Sequence, residues 1–182
     1  MSTADIDASP DRVLITKEWY NMVQSEVFQG ILEVTEGGNT GLRRADLNSD
    51  NVGNIGNFAL DLSVSLIPSA TRGATGTNSV AFGGGTTASG ISSASLGRRT
   101  VASGLYSLSG GFQSRASGEA STALGEGARA VGLGEVALGR YNTNYTVTGT
   151  NTDRVFTIGN GTDDLNRSDA FIVQRNGLVT AP

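Results

Sequence analysis

The chain has 182 residues and a formal net charge of −4, from 13 Lys and Arg against 17 Asp and Glu. It contains no cysteine and no histidine, which excludes disulfides, His-dependent catalytic triads and the common zinc sites. A mildly acidic chain without a basic run is a poor candidate for nucleic-acid binding. No apolar run is long enough to cross a membrane as a helix, so neither a nucleic-acid partner nor membrane insertion is expected.

The amino-terminal part predicts a leader followed by a helix. Residues 1–12 are polar and acidic, which is typical of a flexible leader. Residues 13–29 are expected to be helical because apolar side chains recur at spacings of three and four, at Ile15, Trp19, Met22, Val23 and Val27. This stripe either attaches the chain to a larger particle or sets trimer register in a three-helix bundle. The alternative is a helix that packs beneath the first coil.

Residues 36–57 are rich in Gly, Asn and Asp and are expected to form a loop. Together with the helix they would make residues 13–57 an N-terminal attachment or trimerisation segment. Asp46, Asn48 and Asp50 have the spacing of a calcium loop, but its glycine and closing glutamate are missing. An ordinary Asx-rich turn is expected there, and no metal ligand is assigned.

The clearest predicted strand follows this loop. Its apolar residues alternate with small or polar ones, at Phe58, Leu60, Leu62, Val64 and Leu66. We expect this strand to be the entry to a β-roll head over residues 58–140, with the repeated coils beginning near residue 70.

The stretch from Ser79 to Arg140 repeats with a period of 14 residues. Two positions, the fifth and the twelfth, are glycine: Gly83, Gly97, Gly111, Gly125 and Gly139, then Gly90, Gly104, Gly118 and Gly132. The tenth position is alanine, at Ala88, Ala102, Ala116 and Ala130. The fourth is large and apolar in all repeats but the third, at Phe82, Leu96, Leu124 and Leu138. A fixed period of this kind is typical of a solenoid, in which coils stack on one another.

Each repeat holds two short segments separated by glycine. Glycine permits a positive φ at a corner without steric cost, so two glycines predict two corners in every coil. Successive coils would pair as parallel strands about 4.8 Å apart, and the alanine column predicts a narrow interior. Because such a roll buries little apolar area in one chain, the fourth column is expected to pack between subunits as much as inside one chain.

The segments NSVAFG (residues 78–83), ASLG (94–97), TALG (122–125) and VALG (136–139) resemble the head repeat of the YadA-type trimeric adhesins. The resemblance covers roughly residues 70–140, and the same repeat recurs in trimeric fibres of bacteriophages. It implies a left-handed parallel β-roll, a side-by-side homotrimer and a role in surface attachment. The third repeat departs from the pattern because Gly110 replaces the bulky residue and Phe112 follows it.

Beyond the repeat, residues 141–182 are expected to cap the roll with β structure. Residues 154–158 and 170–174 are β-rich, and Asn176-Gly177 is a strong hairpin signal. Endings of the form IGNGT…NRS.AF.V..NG follow similar heads in phage and surface proteins, so this region resembles the closing element of the family.

Several charged or glycine-rich patterns could indicate a binding or catalytic site, but each can also be explained by ordinary turns or solvent-exposed surface. Gly132, Gly134 and Ala137 match a dinucleotide fingerprint by letter, but no strand–helix pair surrounds them. Asp163 and Asp164 are expected to be solvated turn residues rather than cation ligands. Three carboxylates fall on successive coils in different columns and are expected on a solvated surface rather than in a glycosidase pair: Glu119, Glu126 and Glu135. Five arginines would pair with them or form an anion-binding face: Arg98, Arg99, Arg115, Arg129 and Arg140.

These patterns predict a mainly β, non-enzymatic trimeric fibre or spike without cofactor or catalytic residue. The ends of the chain lack an export signal and the strands of a membrane anchor, so we expect it on the surface of a virion or similar particle. Its partners would be other particle proteins, bound through the N-terminal segment, and a host receptor that is a glycan or a protein. Alternatives are a fragment of a bacterial surface adhesin, a spike glycanase, and an ice- or surface-binding solenoid. An ice-binding surface would use a row of like side chains at the eighth position, but the threonines there are lost along the repeat: Thr86, Thr100, Ser114 and Ala128.

Overall fold

The computed structural model of the protein describes residues 30–181. The leader expected over residues 1–12 and the helix expected over residues 13–29 lie outside the described residues. The strands are β1 Ile31–Glu36, β2 Asn39–Arg44, β3 Leu60–Val64, β4 Gly73–Ala74, β5 Val80–Gly84, β6 Thr87–Ala88, β7 Ala94–Arg98, β8 Val101–Ala102, β9 Leu108–Phe112, β10 Arg115–Ala116, β11 Thr122–Glu126, β12 Arg129–Ala130, β13 Val136–Arg140, β14 Arg154–Asn160, β15 Asp169–Gln174 and β16 Val179–Thr180. Within residues 30–181 the one helical segment is a 3-10 helix, Ser49–Asn51.

The strands form two sheets. Eleven strands make the long sheet, in the order β1-β2-β3-β5-β7-β9-β11-β13-β14-β15-β16. The short sheet contains the five two-residue strands, in the order β12-β10-β8-β6-β4. All pairs from β2 to β14 are parallel, and so are all pairs in the short sheet. The chain therefore passes from one sheet to the other in successive coils, which confirms the expected mainly β solenoid.

The register of the central coils follows the 14-residue repeat. Partners in the long sheet succeed one another at Val80, Ala94, Leu108, Thr122 and Val136. The glycines of the fifth position pair with one another, and so do the alanines of the tenth. The end coils are longer, because 20 residues separate Leu60 from its partner Val80 and Val136 from its partner Phe156. The repeat thus lies between longer coils of the same sheet.

Small side chains from four positions line the interior of the roll. In the complete repeats, residues 79–134, the first, third, eighth and tenth positions are serine, threonine or alanine, and they are buried. Facing columns join through hydroxyls: Ser95 Oγ lies 2.8 Å from Thr100 Oγ1, and Ser109 Oγ lies 2.8 Å from Ser114 Oγ. The alanine column lies wholly inside one chain, so the interior is as narrow as that column predicted.

Large apolar side chains lie on the outer side of the long sheet. In β3, Asp61 and Ser63 are buried whereas Val64 is exposed, and in β5 Ala81 is buried while Phe82 is 56% exposed. In the complete repeats the inward positions hold only serine, threonine or alanine. The alternation of the strands is therefore inverted relative to the usual arrangement of apolar side chains inside and polar ones outside.

The corners of the central coils lie at the seventh and fourteenth positions. Arg99 and Tyr106 have φ values of 56° and 58°, in the left-handed region. Glycines of the fifth position lie within strands at φ between 90° and 132°, where other residues are strained. Those of the twelfth position have no positive φ, but a Cβ on Gly90 would lie 2.0 Å from the carbonyl oxygen of Gly104. The prediction that both glycine columns form corners is wrong, because the twelfth column is kept free of side chains by the close approach of the next coil.

The segment before the roll is a hairpin rather than a loop. β1 and β2 pair antiparallel from Ile31↔Arg44 to Glu36↔Asn39 around Gly37 and Gly38, whose φ values of 57° and 84° suit a two-residue turn. The expectation of a loop over residues 36–57 is therefore wrong for residues 39–44. Gly and Asn content indicated a loop, although a Gly-Gly pair also connects hairpin strands.

The C-terminal strands continue the long sheet. β14 pairs parallel with β13, while the pairs β14·β15 and β15·β16 are antiparallel. Gln174 N donates to Leu178 O at 2.9 Å across Asn176-Gly177. Because the sheet runs without interruption past residues 58 and 140, the division of the chain at these residues stays a prediction.

Candidate functional site: the apolar face of the long sheet

The outward side chains at the second and fourth positions of the long strands lie on one side of the long sheet, and we call this surface the apolar face. Its members are Leu60, Leu62, Val80, Phe82, Ala94, Leu96, Leu108, Thr122, Leu124, Val136, Leu138, Phe156 and Ile158. They stand in two columns because paired residues share a side of the sheet. Leu96 is 40% exposed and Leu124 is 37% exposed. Monomeric proteins rarely expose so long an apolar row, which marks an interaction surface.

The residues expected to pack in the core or between subunits divide into two sets. The alanine column, Ala88, Ala102, Ala116 and Ala130, is fully buried inside one chain. The fourth column, Phe82, Leu96, Leu124 and Leu138, lies on the apolar face. The fourth column is thus available to another molecule, whereas the alanine column is not.

The apolar face narrows at the third coil. A Cβ on Gly110 would lie 2.8 Å from Leu124 Cδ2, so Leu124 leans over the glycine. Phe112 is half-buried, and the Arg98 guanidinium lies 5.6 Å from its ring centroid. Leu124 therefore covers Gly110, which is itself buried, and the third coil presents Phe112 and the exposed Arg98 instead of a large aliphatic side chain at the fourth position.

A second apolar strip runs along the turn that precedes each long strand, at the thirteenth position. This thirteenth-position ridge consists of Ile91, Leu105, Glu119 and Leu133. Ile91, Leu105 and Leu133 are 47%, 42% and 53% exposed. The aligned repeats contain this column, and the apolar residues in it were not recognised as a site from the sequence.

A groove of about 340 Å³ extends the apolar face at its N-terminal end. Leu42, Phe58 and Leu60 contribute to its lining, and Phe58 is exposed there with a φ of 56°. The apolar character of the face therefore reaches back to the N-terminal hairpin.

The arginines have separate partners rather than a common anion site. Arg140 Nε lies 2.9 Å from Glu126 Oε2, and an Arg129 guanidinium nitrogen lies 3.1 Å from Asp164 Oδ1. Burial and the positive charge of Arg167 lower the pKa of Arg129. The others are exposed and form no ion pair within residues 30–181: Arg98, Arg99 and Arg115.

The three glutamates of successive coils occupy different environments. Glu119 is exposed, Glu126 pairs with Arg140, and Glu135 is fully buried. The expectation of a solvated surface is therefore wrong for Glu135. Glu126 is engaged by Arg140 and Glu135 by the N–H groups of Val131 and Gly132, so neither is available as one of the facing carboxylates that glycoside hydrolysis requires.

Glu135 ends the short sheet. In the coils before it, the N–H groups of the eleventh and twelfth positions donate to an alanine carbonyl of the next coil, as Ser117 and Gly118 do to Ala130 O. In the last coil, Val131 N and Gly132 N donate to Glu135 Oε2 instead, at 2.7 and 2.8 Å. The carboxylate thus replaces the carbonyl that a further strand of the short sheet would supply.

Burial raises the pKa of Glu135, while the N–H donors of Gly132 and Val131 oppose the shift. The Tyr145 hydroxyl donates to Glu135 Oε2 at 3.2 Å, and burial together with this carboxylate raises the pKa of Tyr145. Four of the five first positions are serine, so the glutamate stands out in the aligned sequence.

Asn142 completes the same edge. Its Oδ1 accepts from Arg129 N at 2.8 Å and its Nδ2 donates to Arg129 O at 2.9 Å. In the coil before, Arg115 N donates to Ala128 O, so the amide of Asn142 replaces a peptide group of a further coil. Asn142 is fully buried.

Charged side chains fill the N-terminal end of the interior. Arg43 and Asp61 occupy the third-position column, pair at 3.4 Å and are buried. Arg43 also reaches the Gly53 carbonyl at 2.9 Å and the Glu36 carboxylate. Glu36 Oε2 accepts from Ile55 N at 2.9 Å. The sequence did not identify this cluster, because its members lie far apart in the chain.

The acidic residues considered as cation ligands in the sequence lie in turns, where they accept backbone hydrogen bonds or pair with arginine. Asp163 Oδ1 accepts from Leu165 N and Asn166 N, both at 2.9 Å, and donors from Asn166 hold the pKa of Asp163 below its ordinary value. Asp46 pairs with Arg44, and Asn48 Oδ1 accepts from Asp50 N at 3.0 Å at the start of the 3-10 helix. Within the described residues no three acidic side chains gather in the manner of a metal site.

The structure also places the ladder of the ice-binding alternative and the residues that match a dinucleotide fingerprint by letter. Thr86, Thr100, Ser114 and Ala128 are fully buried, so the eighth-position ladder faces inward and cannot contact ice. Gly132, Gly134 and Ala137 lie in the last turn and in β13, without a helix beside them. From Gly30 to Ala181 no helix is long and apolar enough to cross a membrane.

The repeating coils have a counterpart among known families. Four overlapping stretches match the family described as the YadA head domain repeat, at residues 74–100, 88–114, 102–128 and 116–142. Residues 74–142 are a YadA-type head repeat. The YadA head is a structural adhesin repeat rather than an enzyme family, and it implies an extracellular or surface-exposed location. No curated protein and no solved structure matches the chain.

Proposed function

We propose that the chain is a non-enzymatic, trimeric fibre or spike protein of a virion, such as a bacteriophage, or of a similar particle, and that it attaches the particle to a host surface. The apolar face carries this proposal. It runs along the long sheet, and four of its large side chains stay exposed within residues 30–181: Phe82, Leu96, Leu124 and Ile158. Three copies side by side would remove it from water, in agreement with the YadA-type repeat that bears it.

The particle context is supported by the resemblance of the repeat, and of the C-terminal ending, to those of phage fibres. In this arrangement residues 13–57 bind other particle proteins, and the remaining surface of the roll meets a host receptor that is a glycan or a protein. The engagement of Glu126 by Arg140 and of Glu135 by backbone N–H groups supports a binding role rather than a glycanase. Release of sugar from host polysaccharide by the purified chain would contradict this part of the proposal.

Light scattering during size exclusion tests the assembly. A mass near three times 18.7 kDa is expected for the full chain, and a stable monomer would overturn the proposal. Leu96→Asp places a charge on the apolar face and should yield monomer. Ser103→Asp is the matched control, because Ser103 is exposed in the same coil on the short-sheet side, and its variant should keep the mass of the parent.

The particle assignment needs its own test. Mass spectrometry of purified particles should detect the chain, and an excess of the soluble trimer should block adsorption of particles to host cells. The second candidate is a fragment of a bacterial surface adhesin, which the YadA-type repeat itself favours. Detection of the chain on the bacterial surface, in cells free of particles, would select that candidate.

A further inference from the structure

The short sheet presents a second surface of the roll, across the interior from the apolar face. Its strands turn the tenth-position alanines inward, so the ninth and eleventh positions of each repeat point outward. In the complete repeats these positions hold only serine, threonine, valine or arginine. Three copies that pack through their apolar faces would leave this polar surface in contact with water.

Two of the arginines considered in the sequence lie side by side on this surface. Arg115 and Arg129 are direct partners in the pairing of β10 with β12, so their side chains leave the same side of the sheet from backbones about 4.8 Å apart. Arg167 reaches the same place from the C-terminal region, where it donates to Gly127 O at 2.9 Å. Both Arg129 and Arg167 pair with the Asp164 carboxylate. We call the three arginines the cationic patch.

The cationic patch is only partly neutralised by ion pairs within the chain. Asp164 serves both Arg129 and Arg167, whereas Arg115 is exposed and forms no ion pair within residues 30–181. Like charges on directly paired strand residues are destabilising. Burial, followed by the positive charges of Arg167 and Arg115, lowers the pKa of Arg129, in agreement with this crowding of cations. An added anion would relieve the repulsion.

Asp164 indicates which kind of anion fits the cationic patch. Its Oδ1 lies 3.1 Å from a guanidinium nitrogen of Arg129 and also contacts Arg167, so a carboxylate oxygen lies between two guanidinium groups. Guanidinium groups bind carboxylates through charge-assisted hydrogen bonds. The carboxylate of a ligand would bind between Arg115 and Arg129 in the same way, since the side chain of Arg129 is still 36% exposed.

The surroundings of the cationic patch favour a polysaccharide over a peptide or a nucleic acid. Asn142 already bonds the backbone N–H and carbonyl of Arg129 at the edge of β12, so an acidic peptide cannot be added there as a further strand. Exposed Ser103 and Ser117 offer hydroxyls at the eleventh position beside Arg115. Surfaces that bind single-stranded nucleic acids instead offer aromatic rings on which bases stack.

We propose that the cationic patch, with Arg115 and Arg129 at its centre, binds the carboxylates of an acidic polysaccharide on the host surface. This inference rests on the proposed host attachment and names the chemical class of the receptor. A trimer would carry three such patches, so a polymer that reaches two of them is held more tightly than by a single patch.

Binding of the full chain to labelled oligogalacturonate, measured by fluorescence anisotropy at low salt, tests the cationic patch. The fully methyl-esterified oligomer has the same sugars without the charge and should not bind. Arg115→Asn should weaken binding about tenfold, because it removes a charged donor to the ligand. Arg44→Asn is the matched control, since it removes the same charge from the Arg44–Asp46 pair at the N-terminal end of the roll. It should bind as the parent does.

Asp164→Asn should have the opposite effect. It removes the carboxylate that competes for Arg129 and Arg167, and binding should tighten about threefold, which is the range of a surface ion pair. Asp46→Asn is the control for this charge change, and it should leave binding unchanged. A purely structural role of the cationic patch would not produce such a gain.

Four results would overturn the proposal: no binding of oligogalacturonate by the parent, no loss in Arg115→Asn, an equal loss in Arg44→Asn, or equal binding of polyglutamate or DNA. The cationic patch and the proposed function fail separately. If the Arg115→Asn trimer blocks adsorption of particles as well as the parent does, the receptor binds elsewhere and host attachment stands. If the parent binds oligogalacturonate through Arg115 but does not block adsorption, the polysaccharide-binding surface stands and host attachment is overturned.

Discussion

The central coils and the two ends of the roll fill the same interior columns with different chemistry. The third-position column contains Ala81, Ser95, Ser109 and Ala123 in the repeats, but Arg43 and Asp61 at its N-terminal end. At the other end, Glu135 takes the first position, which is serine in the four repeats, and Asn142 takes the eighth. In the middle, backbone groups of adjacent coils satisfy one another, so a methyl or hydroxyl is sufficient. At the C-terminal edge of the short sheet no further strand lies beside β12, and the longer polar side chains of Glu135 and Asn142 bond its backbone groups instead.

The largest difference in the free energy of unfolding is expected between two Gly→Ala variants of the twelfth-position column, one in the middle of the roll and one at its C-terminal end. A Cβ from Gly104→Ala would lie 2.0 Å from the carbonyl oxygen of Gly118, and separating the coils should lower the free energy of unfolding by about 3 kcal/mol or more. At Gly132→Ala the nearest atom is the Tyr145 hydroxyl oxygen at 2.5 Å, which can move, so about 1 kcal/mol is expected. Urea unfolding followed by circular dichroism, at fixed chain concentration, measures both. Equal losses would refute close coil approach as the cause.

The third-position column allows a second comparison. Asp61→Ala removes one of the two carboxylates that pair with the buried Arg43 guanidinium, the other being that of Glu36, and a loss of about 3 kcal/mol is expected. Ser95→Ala removes one hydroxyl contact from the middle and should cost about 1 kcal/mol. The same unfolding experiment compares them. If Asp61→Ala cost no more than Ser95→Ala, the ion cluster would not be the element that supports the N-terminal end.

Variants of Asn142, in the eighth-position column, test whether its side-chain amide takes the place of a peptide group beside Arg129. Asn142→Ala loses both hydrogen bonds to Arg129 and should cost about 2 kcal/mol. Asn142→Asp keeps the acceptor for Arg129 N and loses the donor, so its effect separates the two bonds. Amide hydrogen exchange at Arg129 should quicken in the alanine variant and stay slow in the aspartate variant. Fast exchange in both would show that the donor to Arg129 O holds the edge together.

The smallest expected effect is the pH dependence of the C-terminal edge. Burial raises the pKa of Glu135 above its value in the unfolded chain, so the folded chain binds the proton more tightly. The free energy of unfolding should therefore fall as the pH rises from the ordinary carboxyl pKa through the raised one. Glu135→Gln keeps an acceptor for Val131 N and Gly132 N and should remove this fall. Asp153, whose pKa is lowered chiefly by hydrogen bonds from Thr148, acts at lower pH, so the difference between parent and variant isolates Glu135. Identical pH profiles would contradict the assignment.

Much of the architecture follows from the aligned repeats alone. A fixed period places each glycine beside the next glycine and each alanine beside the next alanine, because coils of equal length can pair only in that register. Resemblance added the family, and the match over residues 74–142 agrees with it. The hairpin of β1 and β2 was missed, since Gly and Asn content indicates a loop as readily as a turn between strands.

Only the tertiary structure decided which side of each strand faces inward. Alternation in Phe82 and Ala81 is visible in the sequence, but the inward direction depends on how closely the two sheets approach. In the repeated coils only small residues line the interior, and the large apolar side chains are left on the outside. The ends of the stack of coils were likewise decided by the tertiary structure. They determine the contacts that three polar residues make: Arg43, Asp61 and Asn142. The repeat could be read from the sequence because it recurs at a fixed spacing along the chain. The contacts at the two ends of the stack join residues that are far apart in the sequence, so only the folded structure reveals them.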